Sequence, residues 1–280
     1  MRARRRPGDG PRCRREAGRS PSSRTEGDRR LAPRSQDTTR YTRPQLTAKE
    51  SEMKRTAAAL ALCLAALASR ALAQQAKSEV QTQESQSAMT PLQALERLQQ
   101  GNARFAANAT KPRDWSAKVS ATAAGQFPFA AVLACMDSRA PIEIVFDQGI
   151  GDVFGVRVAG NVVNDDELGS LEYAAHVGSK LIVVLGHTRC GAVKGALEGV
   201  ELGNLTGLLQ KIHPAIDAAK CTDAKSDACV DSVAEQNVRH SLAEIRARSP
   251  YLAKALGAGK IALAGAIYDV ASGKVTFLKP

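Results

Sequence analysis

Two runs of this chain have no polar face. Pro128-Phe129-Ala130-Ala131-Val132-Leu133-Ala134 and Leu181-Ile182-Val183-Val184-Leu185-Gly186 carry no polar side chain at any position. A strand with one wet face alternates polar and apolar residues. A continuous apolar run is expected of a strand covered on both faces, as in a parallel sheet between layers of helices. Residues 152–158 and 261–268 read as two further strands. Ser272-Gly273 reads as a hairpin turn into a last strand at 275–278. Thr90-Pro91 predicts a helix start, with a hydroxyl cap and proline in the first turn. Leu92, Leu95 and Leu98 follow at helical spacing, and Gly101-Asn102 reads as an interruption. Residues 165–177 and 231–248 predict two more helices, the second ending before Pro250. Strands alternating with helices predict an α/β domain with a mainly parallel central β-sheet flanked by helices.

Each apolar run ends in a soft metal ligand. Cys135 closes the first, His187 closes the second, and Cys190 follows three residues later. Two thiolates and one imidazole suit zinc and leave one of its four tetrahedral positions unassigned. Ligand sites in open parallel sheets lie at the carboxyl ends of strands, where these residues fall. Asp137 and Arg139 share the first ligand's segment. Asp137 can orient a water on zinc, which has a pKa of about 7 there, or bind the metal itself and close the site. The planar fork of Arg139 can hold the carboxylate bidentately, away from the metal. Taken singly, each residue has a plainer reading. A cysteine on an apolar strand is often a buried small hydrophobe, and an exposed Asp–Arg pair contributes little. Their conjunction behind two buried strands selects a metal site. His176, His213 and His240 read as surface or helix-packing residues.

The chain carries a formal net charge of +11, which by itself suggests nucleic acid or an anionic surface. The position of that charge argues otherwise. Residues 1–73 hold 18 Lys and Arg against seven Asp and Glu, and the rest of the chain holds 21 of each sign. Met53-Lys54-Arg55, an Ala/Leu run to Ser69 and the small-x-small Ala71-Leu72-Ala73 have the three parts of a secretory signal peptide over 53–73. The apolar part is too short for a comfortable membrane span. Residues 1–52, rich in Arg, Pro, Ser and Gly, read as a disordered or wrongly translated leader, with Met53 as the true start. They lack the interleaved aromatics of a nucleic-acid-binding arm. The expected product is periplasmic, with no nucleic acid and, after signal cleavage, no membrane as partner. It has a flexible segment at 74–88 and one catalytic domain at 89–280. In an oxidising compartment Cys221 and Cys229, in a polar stretch, are disulfide candidates.

Cys135-Met136-Asp137-Ser138-Arg139 and His187-Thr188-Arg189-Cys190-Gly191-Ala192 resemble the two signature motifs of the β-class carbonic anhydrases, in their bacterial, plant-like subgroup. The similarity extends to residues 98–105, 151–154, 170–174 and 265–269. It implies one zinc ion per subunit on Cys135, His187 and Cys190, with Asp137 and Arg139 as the catalytic pair. It implies reversible hydration of carbon dioxide to bicarbonate and a proton by zinc-bound hydroxide. It also implies a substrate pocket of Gln126, Phe154, Ala159 and Tyr173. A homodimer or dimer of dimers is implied, because pocket residues in the family come from both subunits. Ala159 stands where the subgroup has Val. Val132 stands where the subgroup regulated by a second bicarbonate site has Trp, so that regulation is not implied here. The zinc ligands alone would also permit hydrolysis of carbon disulfide or carbonyl sulfide, or a non-catalytic zinc module with a fourth protein ligand.

Overall fold

The computed structural model describes residues 52–53, 55–66 and 80–279. The chain divides into two units, Met1–Thr56 and Ala57–Pro280. In the first, the few described residues are helical, and residues 1–51 lie outside the described residues. In the second, residues 57–66 of the predicted signal peptide are helical and exposed, while its cleavage site lies outside the described residues. No helix among the described residues is long and apolar enough to cross a membrane.

Five strands form one sheet. They are β1 (Ala130–Ala134), β2 (Val153–Arg157), β3 (Leu181–His187), β4 (Ala262–Tyr268) and β5 (Val275–Phe277), in the spatial order β2-β1-β3-β4-β5. The first four are parallel, and β5 returns antiparallel on β4. β1 and β3 are buried at every residue, as their unbroken apolar runs require.

The pleat divides these two strands between two cores. Ala130, Val132, Leu181, Val183 and Leu185 pack with Leu98, Phe129, Ile142 and Phe146 on one face. Ala131, Leu133, Ile182 and Val184 pack with Leu168, Leu171, Val238 and Ile245 on the other. Full burial of each large aliphatic or aromatic side chain contributes about 1.5–3 kcal/mol. From β1 the chain steps outward to β2, then crosses back to β3 on the other side of β1. The carboxyl ends of β1 and β3 therefore flank a topological switch point, where an open α/β sheet leaves a crevice.

The helix predicted at Thr90-Pro91 is α2 (Pro91–Ala106), capped by Thr90 with Gln93 closing the capping box. Gly101 does not interrupt it. The helix runs straight through because Gly101 lies against the backbone of Phe146. An added Cβ would sit 1.9 Å from the Phe146 carbonyl oxygen. Asn102 is likewise a tether, donating to the carbonyls of Val145 and Gly273 and accepting from the N–H of Val275.

A second correction concerns the segment read as flexible at 74–88. Residues 83–88 form helix α1 (Gln83–Ala88), and Gln86 is buried, donating to the carbonyl of Pro128 at 2.8 Å. Residues 74–79 lie outside the described residues. The helix predicted at 165–177 is α5 (Asp165–His176), capped by Asn164 rather than by its acidic first turn. The helix predicted at 231–248 is α9 (Asp227–Arg248), which begins a turn earlier because Ser226 caps it. The intervening helices are α3 (Trp115–Thr122), α4 (Ile142–Val145), α6 (Gly191–Leu197), α7 (Gly203–Leu209) and α8 (His213–Ala219), with α10 (Pro250–Gly257) following α9.

Candidate metal centre

Cys135 follows the last residue of β1, His187 is the last residue of β3, and Cys190 caps α6. Their donor atoms lie within 4.8 Å of one another, and all three residues are buried. The two sulfurs are 4.0 Å apart. A tetrahedral ion with zinc–sulfur bonds of about 2.3 Å sets two sulfur ligands about 3.8 Å apart, so little movement separates this arrangement from a bound one.

The imidazole is oriented for the same purpose. His187 Nδ1 lies 2.9 Å from the carbonyl oxygen of Thr188, which only accepts, so Nδ1 carries the proton. That leaves the Nε2 lone pair facing the sulfurs, buried and without a hydrogen-bond partner. An unpartnered buried nitrogen beside two thiols fits a soft divalent cation.

The thiols point the same way. Cys135 is drawn down to about 4, first by the Cys190 side chain and then, against burial, by His187 and the backbone N–H groups of Gly160 and Asp137. Cys190 is pushed up, first by its bond with Cys135 and then by burial. The pair thus loses one proton more readily than the second, and a cation between the sulfurs would favour loss of both. Burial opposes the charged form of His187, but the neighbouring Cys135 outweighs it and the net shift is upward.

Asp137 and Arg139 stand at the exposed side of this cluster. Arg139 donates to Asp137 three times, from its backbone N–H and Nε to Oδ1 at 2.9 Å each, and from Nη2 to Oδ2 at 2.7 Å. Those side-chain bonds, above all, hold the Asp137 carboxyl down to about 2. Asp137 Oδ2 is 3.8 Å from His187 Nε2. The carboxylate therefore borders the metal cluster while its oxygens are engaged by the guanidinium.

Of the predicted pocket residues, Phe154 and Tyr173 meet edge to face with ring centroids 6.0 Å apart. They line an open cavity of about 730 Å³ with Arg157 and Ser170. Ala159 opens the short 3₁₀ turn after β2 (Ala159–Asn161) and is half-buried. Gln126 is exposed and lines a different hollow, with Thr122, Ile150 and Gly151. One chain alone does not gather the four. Cys221 and Cys229 are joined by a disulfide with a Cα–Cα distance of 5.8 Å. His176 and His213 are exposed and His240 is half-buried, and among the described residues His187 is the one histidine in the cluster.

Several supporting residues have no sequence signal. Gly160 adopts φ +68° and donates its N–H to Cys135 Sγ at 3.3 Å. Its carbonyl accepts from the buried Asn237 Nδ2 at 2.6 Å. Arg157 donates to the carbonyls of Cys135 and Asp137, fixing the loop between them. Thr188 is tied to the end of β4 through the carbonyl of Tyr268 and the carboxylate of Asp269. These contacts join residues 20 or more positions apart, and no local pattern marks them.

A family model described as carbonic anhydrase matches residues 130–275. Carbonic anhydrase 2 of Mycobacterium tuberculosis is 38% identical over 193 residues, covering 66% of this chain and 91% of that protein. Among solved structures, the β-carbonic anhydrase CafA of Aspergillus fumigatus matches with a TM-score of 0.53 and 29% identity, over 64% of this chain and 91% of that one. A tetrameric β-carbonic anhydrase of Sordaria macrospora matches with a TM-score of 0.52 and 28% identity, over 59% and 91% of the two chains.

Proposed function

The chain belongs to the β-class carbonic anhydrases, which interconvert carbon dioxide and bicarbonate, and we propose that it does so with one zinc ion held by Cys135, His187 and Cys190. The observation that carries this reading is the buried pair of thiols facing an imidazole nitrogen that has no other partner. Zinc held there would supply the Lewis acidity that activates water near neutral pH.

The protein's own residues divide the remaining work. Asp137, ionised down to about pH 2, is an acceptor only at neutral pH. It can take a hydrogen bond from a reacting hydroxyl and turn its lone pair toward the substrate carbon. Arg139 bonds both carboxylate oxygens, which would keep Asp137 from binding the metal itself. Phe154, Tyr173 and Ala159 offer apolar contact to carbon dioxide. The amide of Gln126 is a hydrogen-bond donor for one of its oxygens. Since a single chain leaves Gln126 apart from that cavity, Gln126 of the partner subunit is proposed to complete it. Two facts support a dimer or dimer of dimers: Tyr173 is 57% exposed although aromatic, and β2 is an edge strand of the sheet among the described residues. The tetrameric Sordaria relative agrees with this reading.

Export is proposed on the signal-like residues 53–73, with the catalytic domain at 89–280. The Cys221–Cys229 disulfide supports a periplasmic location, since such bonds persist in oxidising compartments. Stopped-flow carbon dioxide hydration on protein starting at Gln74, with zinc measured on the same sample, tests the function. Cys190→Ser is expected to lose metal and rate together. A fully zinc-loaded Cys190→Ser protein, or full activity without zinc, would refute the assignment.

A further inference from the structure

Arg189 stands between the two ligands of the second motif and adopts φ +53°. An arginine in the left-handed region is held there by its surroundings, because its Cβ disfavours that backbone. What holds it is the first part of α9. The backbone N–H of Arg189 donates to Asp231 Oδ1 at 2.7 Å. Its guanidinium Nε lies 3.1 Å from Asp227 Oδ2. Asp227 and Asp231 are one helical turn apart and so share a face. The ion pair to Asp227 is exposed at 55% and 68% and contributes little. The bond from a backbone N–H to a half-buried carboxylate is charge-assisted and is the stronger of the two.

Arg189 also faces the other motif, because its carbonyl accepts from Arg139 Nη2 at 3.3 Å. One residue therefore connects α9 to His187 and Cys190 along the chain, and to the Arg139–Asp137 pair through space. The same stretch of α9 carries Cys229, whose disulfide to Cys221 ties it to the segment leaving α8.

We propose that Asp231 is a positioning residue of the metal centre: its carboxylate fixes the left-handed turn at Arg189, and so sets His187, Cys190 and the Arg139 fork in a single geometry. The proposal rests on the zinc reading above. Asp231 touches neither metal nor substrate. Its effect passes through the Arg189 N–H, which needs an acceptor oxygen first; the charge strengthens that bond and is secondary. Asparagine can supply that oxygen and leucine cannot.

The experiment loads the full chain with zinc, adds excess chelator and follows metal release from the parent, Asp231→Asn and Asp231→Leu. Melting of the three zinc-free proteins is measured alongside. Removing an outer partner bonded directly to a metal ligand typically weakens binding about 10–100-fold. Asp231 acts one residue further out, through the Arg189 turn, so Asp231→Leu is expected to release zinc faster by about 10-fold, the low end of that range. Asp231→Asn should stay within about threefold of the parent, and the zinc-free proteins should melt together. Release at the parent rate from Asp231→Leu would overturn the proposal. Equal acceleration in both variants, or a zinc-free Asp231→Leu protein that melts well below the parent, would also overturn it, since a general packing role explains either. A parent that holds no zinc would instead remove the proposed function, and this inference with it.

Discussion

Replacing Gly160 by alanine should destabilise the protein by about 2–5 kcal/mol, and the figure follows from two separate costs. The backbone at Gly160 has φ +68°, where a Cβ costs about 1–2 kcal/mol. The new methyl would also lie 2.8 Å from Ile212 Cδ1 and 3.3 Å from Ala192 Cβ. Ile212 is fully buried and cannot simply swing away, so crowding adds about 1–3 kcal/mol. For a domain of this size each kcal/mol shifts the melting temperature by about 2–4 °C.

The two costs can be told apart. Ile212→Val removes the clashing methyl and alone costs about 0.5–1.5 kcal/mol. In the double variant the backbone cost and the milder 3.3 Å contact with Ala192 remain, while the severe contact with Ile212 Cδ1 disappears. Its destabilisation should therefore fall short of the sum of the singles by about 1–3 kcal/mol. The assay is urea unfolding of zinc-free protein at fixed subunit concentration. Movement of Gly160 also draws its N–H away from Cys135 Sγ, so zinc release from Gly160→Ala should quicken by about 10-fold. A Gly160→Ala protein within about 0.5 kcal/mol of the parent, or strict additivity with Ile212→Val, would refute this account of the turn.

Asp137→Asn should keep its zinc and lose about 10²–10⁴ of the carbon dioxide hydration rate, read by stopped flow against zinc content. Asp147→Asn should cost about 3–5 kcal/mol in urea unfolding, because it leaves Arg104 and Arg113 facing a neutral group at a fully buried position. Those two arginines outweigh burial and hold the Asp147 pKa below its ordinary value. The stabilisation is therefore complete above about pH 4, the unfolded value, and is lost as pH falls toward the lower folded value, so the gap between parent and variant should narrow over that range. Gly101→Ala should lower the melting temperature although alanine is the better helix former by about 1 kcal/mol, because the added methyl meets backbone at 1.9 Å. A rise in melting temperature would contradict that packing.

The sheet was legible because both of its central strands are buried on two faces, and burial of that kind leaves an unbroken apolar run. The Cys135–His187–Cys190 cluster was legible because its members close those runs or follow within short motifs. What escaped notice is of two kinds. Gly101 looks like a helix breaker until the backbone of Phe146 is placed beside it, which only tertiary structure supplies. Short helices such as α4 and α8 are amphipathic over too few turns to show a period. The residues that support the site were silent for a related reason. Gly160, Asn237, Arg157 and Asp231 act by hydrogen bonds across long stretches of sequence, Gly160 to the Cys135 sulfur and the others to backbone groups, whose positions no local rule predicts.

In the proposed enzyme, metal retention and catalysis rest on different parts of the fold. The three donors are buried on the ends of β1 and β3 and the start of α6, all fixed by the core of one chain. Asp137 and Arg139 lie outward of them, with side chains 16% and 49% exposed. The aromatic pair of Phe154 and Tyr173 belongs to the open β2 side. In the proposed dimer that side is closed by a second copy, which brings the amide of Gln126. A subunit kept apart from its partner should then still hold zinc, because nothing in the donor set comes from outside it. It would lack the donor for a substrate oxygen and the cover that lowers the local dielectric, and both act on the transition state more than on the metal. Disruption at the β2 edge should therefore suppress turnover while leaving zinc content intact, whereas changes at Gly160 or Asp231 act on the metal before the substrate.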